Sequence, residues 1–280
     1  MLTDETLLSD VEFVAFDLET TGLFAIGSQI VEIGAVRFRL DGTEIGTFEQ
    51  LIDPQCEMSE EVMGVHGISN AMVRGQPTIA EVLPRFVDFL GSCDTISLAH
   101  NASFDVGFLG LAMAKCGTRH PPHPILDTLE LAQKSLLGPR SYRLEELAIF
   151  LRVADVEDHR GLSDARMLTA VFRKIVASAP RLRTTGDLLA FCRPLSFEDG
   201  GAVLLDPPSG FECLVAAIEE QRTVIIVYDG GTKGIGERRV TPRGLLKTGG
   251  KEYLSAYCHV DCREKNFRLD RVRQVRVEET

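Results

Sequence analysis

Apolar residues in the first fifty positions follow a period of two. From Val11 to Leu18, Val11, Phe13 and Ala15 fall on one face and run on into Asp17 and Glu19, while Val14, Phe16 and Leu18 fall on the other. A run that is apolar on both faces predicts a strand buried in the middle of a sheet. Gln29 to Leu40 predicts a second strand, Asp41-Gly42 a hairpin turn, and Thr47 to Ile52 a third strand ended by Asp53-Pro54. These segments predict an antiparallel meander.

The period then changes to that of a helix. Thr78 to Glu81 reads as a capping box, and Val82, Phe86, Phe89 and Leu90 form one apolar face behind it. Thr95 to Ala99 is a short apolar strand. Ser103 to Lys115 and Asp127 to Leu137 read as helices stopped near Gly117 and Gly138-Pro139. Leu144, Leu147, Ala148 and Leu151 recur at helical spacing, as do Leu168, Val171, Phe172 and Ile175. Strands followed by alternating strand and helix predict an α/β domain over residues 9–178. Residues 179–209, punctuated by Ala179-Pro180, Gly200-Gly201 and Asp206-Pro207-Pro208, read as a linker with at most a short helix near Asp187 to Phe191. Over 210–279, a helix precedes short β runs separated by glycine-rich turns, which predicts a small barrel or sandwich.

Composition narrows the class. Of 280 residues, 44% are hydrophobic and 25% charged, which excludes a wholly disordered chain. The seven cysteines are scattered and odd in number, which argues against a disulfide framework. No apolar run reaches the roughly 18 residues that span a bilayer. The acidic start MLTDETLLSD lacks the basic and apolar blocks of a signal peptide, so a cytoplasmic location without membrane association is expected. Net charge is −11, divided as −13 over residues 1–209 and +2 over 210–280. An acidic chain is a poor candidate for coating nucleic acid, though acidity held in buried carboxylates that bind metal leaves the question open. The change of sign marks a domain boundary.

The chemistry concentrates in carboxylates. Asp17 and Glu19, two apart on a buried strand, share a face and would repel unless a cation lay between them. Hard oxygen ligands select Mg²⁺, Mn²⁺ or Ca²⁺ over zinc. An alternative is a strand end exposed to solvent. The wider context is Phe16-Asp17-Leu18-Glu19-Thr20-Thr21-Gly22, then Ala99-His100-Asn101-Ala102-Ser103-Phe104-Asp105, then His159-Arg160-Gly161-Leu162-Ser163-Asp164. In that order, these segments resemble the three motifs of the DEDDh (DnaQ-like) 3′→5′ exonucleases, with lesser matches at Val65 to Ile68 and Ile125 to Thr128.

The resemblance implies a ribonuclease H-like α/β fold, a central mixed sheet flanked by helices. It implies that Asp17, Glu19, Asp105 and Asp164 bind two Mg²⁺ or Mn²⁺ ions and that His159 is the general base. Two ions can serve both ends of an in-line displacement at phosphorus, and a histidine can take a proton near neutral pH. It further implies that Thr20, Thr21 and Gly22 approach the terminal nucleotide through their backbone and that Leu23 wedges against its base. His66, Asn101 and Phe104 would line the nucleoside pocket. Plain core packing is the alternative for Leu23 and Phe104. Gly161 departs from the alanine of many relatives and is expected to loosen the loop that carries His159.

The basic C-terminal segment resembles a WYL domain, a small Sm/SH3-like β-barrel. The resemblance rests on Val224 to Tyr228, Arg239 to Leu245, Glu252 to Cys258 and Phe267 to Val272. Glu252 stands where that family's naming motif has tryptophan. The resemblance implies that Arg239, Arg243, Arg268 and Arg271 contact a phosphate-bearing ligand or single-stranded nucleic acid, the alternative being a solvated surface of Arg–Asp pairs. Cys258-His259-x-x-Cys262 lacks the second ligand pair that zinc needs. The expected function is a two-metal 3′→5′ exonuclease that releases nucleoside 5′-monophosphates from the 3′ end of single-stranded DNA or RNA. A non-catalytic nucleotide sensor is one alternative. A proofreading accessory subunit, partnered by a polymerase or another replication or repair protein, is another.

Overall fold

The computed structural model describes residues 2–23, 25, 28–153, 160–200, 202–203, 207–220, 222–230, 234–248 and 250–277. The chain divides into two compact units, Met1–Asp199 and Gly200–Thr280.

The first unit is built on a five-stranded mixed sheet. Its strands are β1 (Glu12–Thr20), β2 (Ile30–Phe38), β3 (Glu44–Leu51), β4 (Thr95–Ala99) and β5 (Ile125–Asp127), in the order β3-β2-β1-β4-β5. The central β1 pairs antiparallel with β2 and parallel with β4. Its two apolar faces serve two cores. Val11, Phe13 and Ala15 pack with Leu168, Val171, Phe172 and Ile175 of helix α7 (Gly161–Ala177), and the Phe13 and Phe172 rings lie 5.0 Å apart. Val14, Phe16 and Leu18 pack against helices α3 (Ile79–Leu90) and α4 (Ser103–Cys116). Burying each such phenylalanine contributes about 1.5–3 kcal/mol. Glu81 closes the predicted capping box of α3 by accepting from the Thr78 backbone N–H at 2.7 Å.

Two short helices, α1 (Glu60–His66) and α2 (Asn70–Val73), precede α3, and α5 (Thr128–Ser135) and α6 (Leu144–Leu151) precede α7. The stretch 179–199, expected to be connecting chain, belongs to the first unit. It forms helix α8 (Thr185–Phe191), its Leu195 bridges antiparallel to Ile125, and Phe197 is fully buried beside Phe16. Two apolar residues hold the segment down, Leu195 at the edge strand through its bridge to Ile125 and Phe197 in the core against Phe16.

The second unit contains helix α9 (Glu212–Glu219) and strands β6 (Ala202–Val203), β7 (Val224–Asp229), β8 (Ile235–Thr248), β9 (Lys251–Cys258), β10 (Arg263–Arg268) and β11 (Val272–Val277). The antiparallel path runs β10-β9-β8-β7-β11, with β6 paired to β8. The expected closed barrel is therefore an open sheet. β10 pairs with β9 and β11 pairs with β7 at the two ends of that path, and no described ladder joins β10 to β11. Leu214 and Ala217 of α9 cover the apolar face made by Val224, Ile226, Val240, Leu254 and Phe267. β8 continues through Pro242, with a bulge between Pro242 and Gly244 that accommodates the missing donor. Among the described residues, no helix is long and apolar enough to cross a membrane.

Candidate active site

At the C-terminal end of β1 the core face turns acidic. Asp17 and Glu19 continue the face of Phe13 and Ala15, and the first turn of α7 brings Asp164 to them. One carboxylate oxygen from each lies within 4.8 Å of the others. Asp105, in the first turn of α4, is 2% exposed, and its charge acts on Asp17. Four carboxylates from three distant segments thus converge at one end of the sheet.

Their environment disfavours ionisation. Burial, and then the charges of Asp105, Asp164 and Glu32, hold the Asp17 carboxyl well above the usual range. Burial, Asp17, Asp164 and Glu32 push Glu19 up to about 9, against an opposing pull from Arg160. Burial also raises Asp105, with Asp127 and Glu19 adding to it and backbone amides opposing. Oxygen ligands held together against their own repulsion fit a hard divalent cation.

A pH dependence follows. Between 4.5, the ordinary value for Glu19, and about 9, the folded chain keeps a proton that the unfolded chain has lost. The metal-free protein therefore loses stability as pH rises through that window. A cation that requires the ionised carboxylate must displace that proton, so its affinity rises with pH. Titration with Mn²⁺ near neutral pH, in two buffers of different ionisation heat, is expected to show net proton release. A buffer-independent heat contradicts this.

The start of α7 is held against β2 by two glycines. A Cβ on Gly161 would lie 2.9 Å from the Gly34 nitrogen and 3.3 Å from the Asp17 carbonyl oxygen. Gly161 was expected to loosen its loop. That loop, residues 154–159, lies outside the described residues; at the start of α7 the missing side chain lets the helix end approach the sheet closely, which brings Asp164 to Asp17.

The expected nucleotide contacts sit around this end of the sheet. Thr20 is buried and donates to the Gly22 carbonyl at 2.8 Å, and Thr21 is tied to Gln29 through both backbone and hydroxyl. Gly22 lies against Ser28, whose Oγ an added Cβ would meet at 2.7 Å. Leu23 is 77% exposed, which sets aside core packing as its role. His66 is buried on α1; its Nδ1 accepts from the Ile68 N–H at 3.0 Å, so Nε2 carries the proton of the neutral ring. That Nε2 is buried with no partner among the described residues. Burial lowers the ring's pKa. Asn101 adopts a left-handed φ of 62°, and its N–H donates to Asp127 at 3.0 Å. Phe104 is half-buried and packs on Phe108, with rings 4.9 Å apart. His159 lies outside the described residues.

In the second unit, Arg239 and Arg243 are exposed on β8. Arg268 pairs with Asp270, its Nε donating at 3.0 Å, and the Arg271 side chain lies against Gly230. The four arginines are thus spread over β8, the end of β10 and the following turn.

Sequence reasoning gave Asp127 no role beyond a lesser motif match at a helix start; its carboxylate caps α5 by accepting from the Leu129 N–H at 2.9 Å and also holds Asn101. Sequence reasoning passed over Glu32, wholly buried on β2. The signal for Glu32 was present: it is the one acidic residue in the apolar run Ile30–Val36.

Comparison with known proteins identifies the family and the fold. The family model described as exonuclease matches residues 14–172, and that of the WYL domain matches residues 210–277. The chain is 38% identical over 165 residues to a PolC-type DNA polymerase III of Caldanaerobacter subterraneus, covering 59% of this chain and 12% of that protein. It is 32% identical over 282 residues to a Mycobacterium tuberculosis protein named as a bifunctional exonuclease/endonuclease, covering 92% of this chain and 42% of that one. The chain thus spans less than half the length of either relative. In fold it is similar to the nuclease domain of 3′hExo, a DEDDh family member solved with rAMP. That likeness has a TM-score of 0.53 at 17% identity and covers 62% of this chain and 96% of that one.

Proposed function

Since the chain belongs to the exonuclease family and carries a WYL domain, we propose that it hydrolyses nucleic acid from the 3′ end and releases nucleoside 5′-monophosphates. The observation that carries this reading is the convergence of Asp17, Glu19 and Asp164 within 4.8 Å, with buried Asp105 beside them. These four residues would hold two Mg²⁺ or Mn²⁺ ions, which when bound supply positive charge to stabilise the transition state of phosphodiester hydrolysis. His159 takes the proton of the attacking water as general base. The backbone of Thr20 to Gly22 and the exposed Leu23 meet the terminal nucleotide, with Asn101 and Phe104 at the pocket wall.

His66 lies beneath the pocket with a buried, unpartnered Nε2–H, which the terminal nucleoside would engage on binding. Its substitution by alanine is expected to raise KM about two- to tenfold, the worth of one hydrogen bond, with little change in kcat. Steady-state kinetics on an oligonucleotide checks this; an unchanged KM contradicts it. In the second unit, Arg239, Arg243, Arg268 and Arg271 engage a phosphate-bearing ligand or the single strand itself through their planar forks. Arg268 must first exchange its Asp270 partner.

The test is a ladder assay on 5′-labelled single-stranded DNA and RNA of equal sequence, each run with Mg²⁺, Mn²⁺ or EDTA. Stepwise shortening from the 3′ end, abolished by EDTA, is expected, and the faster polymer names the substrate class. No cleavage by folded protein contradicts the reading and favours nucleotide sensing. The identity shared with a PolC-type polymerase favours a second reading, proofreading beside a polymerase, which co-purification with one would support.

A further inference from the structure

Glu32 is the charged residue that the exonuclease reading leaves without a role. It sits on β2 directly across from Glu19 on β1, so its side chain shares the acidic face. It is 0% exposed. A buried carboxylate beside other carboxylates is costly unless it is specifically neutralised. Here the neutralising groups all come from one place. Arg160 grips both carboxylate oxygens, with Nε 3.1 Å from each and Nη2 2.6 Å from Oε1, and the Gly161 N–H donates to Oε2 at 3.0 Å. Arg160 is also 3.5 Å from Glu49 on β3.

These contacts have a direction. Arg160 and Gly161 are the N-cap and first residue of α7. They directly follow His159 in the chain and stand three or four residues before Asp164. Glu32 therefore ties the segment between the proposed general base and a proposed metal ligand to the rigid centre of the sheet. The bidentate fork fixes orientation as well as distance, and the N–H at the helix start favours the negative charge. With its oxygens engaged in this way, Glu32 falls outside the group of three carboxylates that converge as candidate ligands.

We propose that Glu32 and Arg160 form a positioning clamp that sets the start of α7, and with it Asp164, in the geometry that binds metal. The proposal rests on the exonuclease reading for what Asp164 does. The clamp touches neither substrate nor metal; it acts through Asp164 and through the chain that leads from His159.

The test compares the unaltered chain with Glu32→Gln, Arg160→Gln and the double variant. Free Mn²⁺ is measured by electron paramagnetic resonance without nucleic acid, and kcat and KM are measured on a single-stranded oligonucleotide. Glu32→Gln keeps the shape and loses the charge. Each single variant is expected to weaken Mn²⁺ binding about tenfold or more, as loss of a residue that orients a metal ligand does. Turnover is expected to fall by a similar factor while KM moves less than about threefold. The double variant is expected to lose little beyond either single one, because the two residues act as one unit. A purely structural role would lower thermal stability and leave Mn²⁺ affinity and kcat of the folded fraction unchanged; that result overturns the clamp. Additive losses in the double variant also overturn it. If the unaltered chain binds Mn²⁺ and cleaves, and Glu32→Gln equals it, only the clamp fails. If the unaltered chain neither binds Mn²⁺ nor cleaves, the exonuclease reading falls and takes the clamp with it.

Discussion

Asp17→Ala is expected to lower exonuclease turnover by at least about a hundredfold, since it removes a charge that the transition state depends on. The same change should not weaken the fold. Burial and three neighbouring carboxylates oppose ionisation of Asp17, so at neutral pH this group costs the metal-free protein stability. Thermal unfolding in EDTA is therefore expected at the same temperature as the unaltered chain, or above it. Added Mn²⁺ should raise that temperature for the unaltered chain and much less for the variant, because only a ligand that binds the folded state stabilises it. Functional sites commonly trade stability for chemistry in this way. A variant that unfolds early in EDTA, or that keeps its turnover, contradicts the assignment of Asp17.

Gly34→Ala is expected to be as damaging by a different route. A Cβ at residue 34 would fall 1.9 Å from the Gly161 carbonyl carbon, 2.0 Å from the Leu162 nitrogen and 2.3 Å from the Gly161 oxygen. All three are backbone atoms at the start of α7, so no side chain can swing aside. The helix end must lift off β2, which moves Asp164 away from Asp17 and strains the contacts of Arg160 with Glu32. Overpacking of this kind costs about 1–3 kcal/mol or more. A displacement near 1 Å in a reacting constellation costs roughly a hundredfold in rate. Urea unfolding and Mn²⁺ affinity measured side by side check both parts. Unchanged stability together with unchanged affinity contradicts the close approach. The milder Gly161→Ala, whose Cβ meets its nearest neighbour at 2.9 Å, should fall between the two.

The ease of reading the chain followed the range of the interactions involved. β1 was visible because its burial is encoded residue by residue, and α3 because a capping box is a local signal completed within four residues. The carboxylates could be found because Asp17 and Glu19 lie two apart on one strand, while Asp105 and Asp164 came from motif resemblance. What stayed hidden depends on partners far away in sequence. Glu32 gains its meaning from Arg160, 128 residues later. The need for glycine at 34 appears only when the start of α7 is laid over it. Leu195 and Phe197 carry no local signal, because Ile125 and Phe16, which hold them, lie far away in sequence. The open sheet of the second unit is not legible in the sequence, because strand spacing reports how many strands there are, not which edges pair.

The direction and chemistry of cleavage define a 3′→5′ exonuclease. The most direct measurement is mass spectrometry of the first products released from a single-stranded oligonucleotide whose 3′-terminal nucleotide alone is isotopically labelled. With Mg²⁺ or Mn²⁺, the first product is expected to be the labelled nucleoside 5′-monophosphate, and EDTA or Asp17→Ala should suppress it. Unlabelled nucleotides appearing first, nucleoside 3′-monophosphates as products, or cleavage that persists in EDTA would contradict the account.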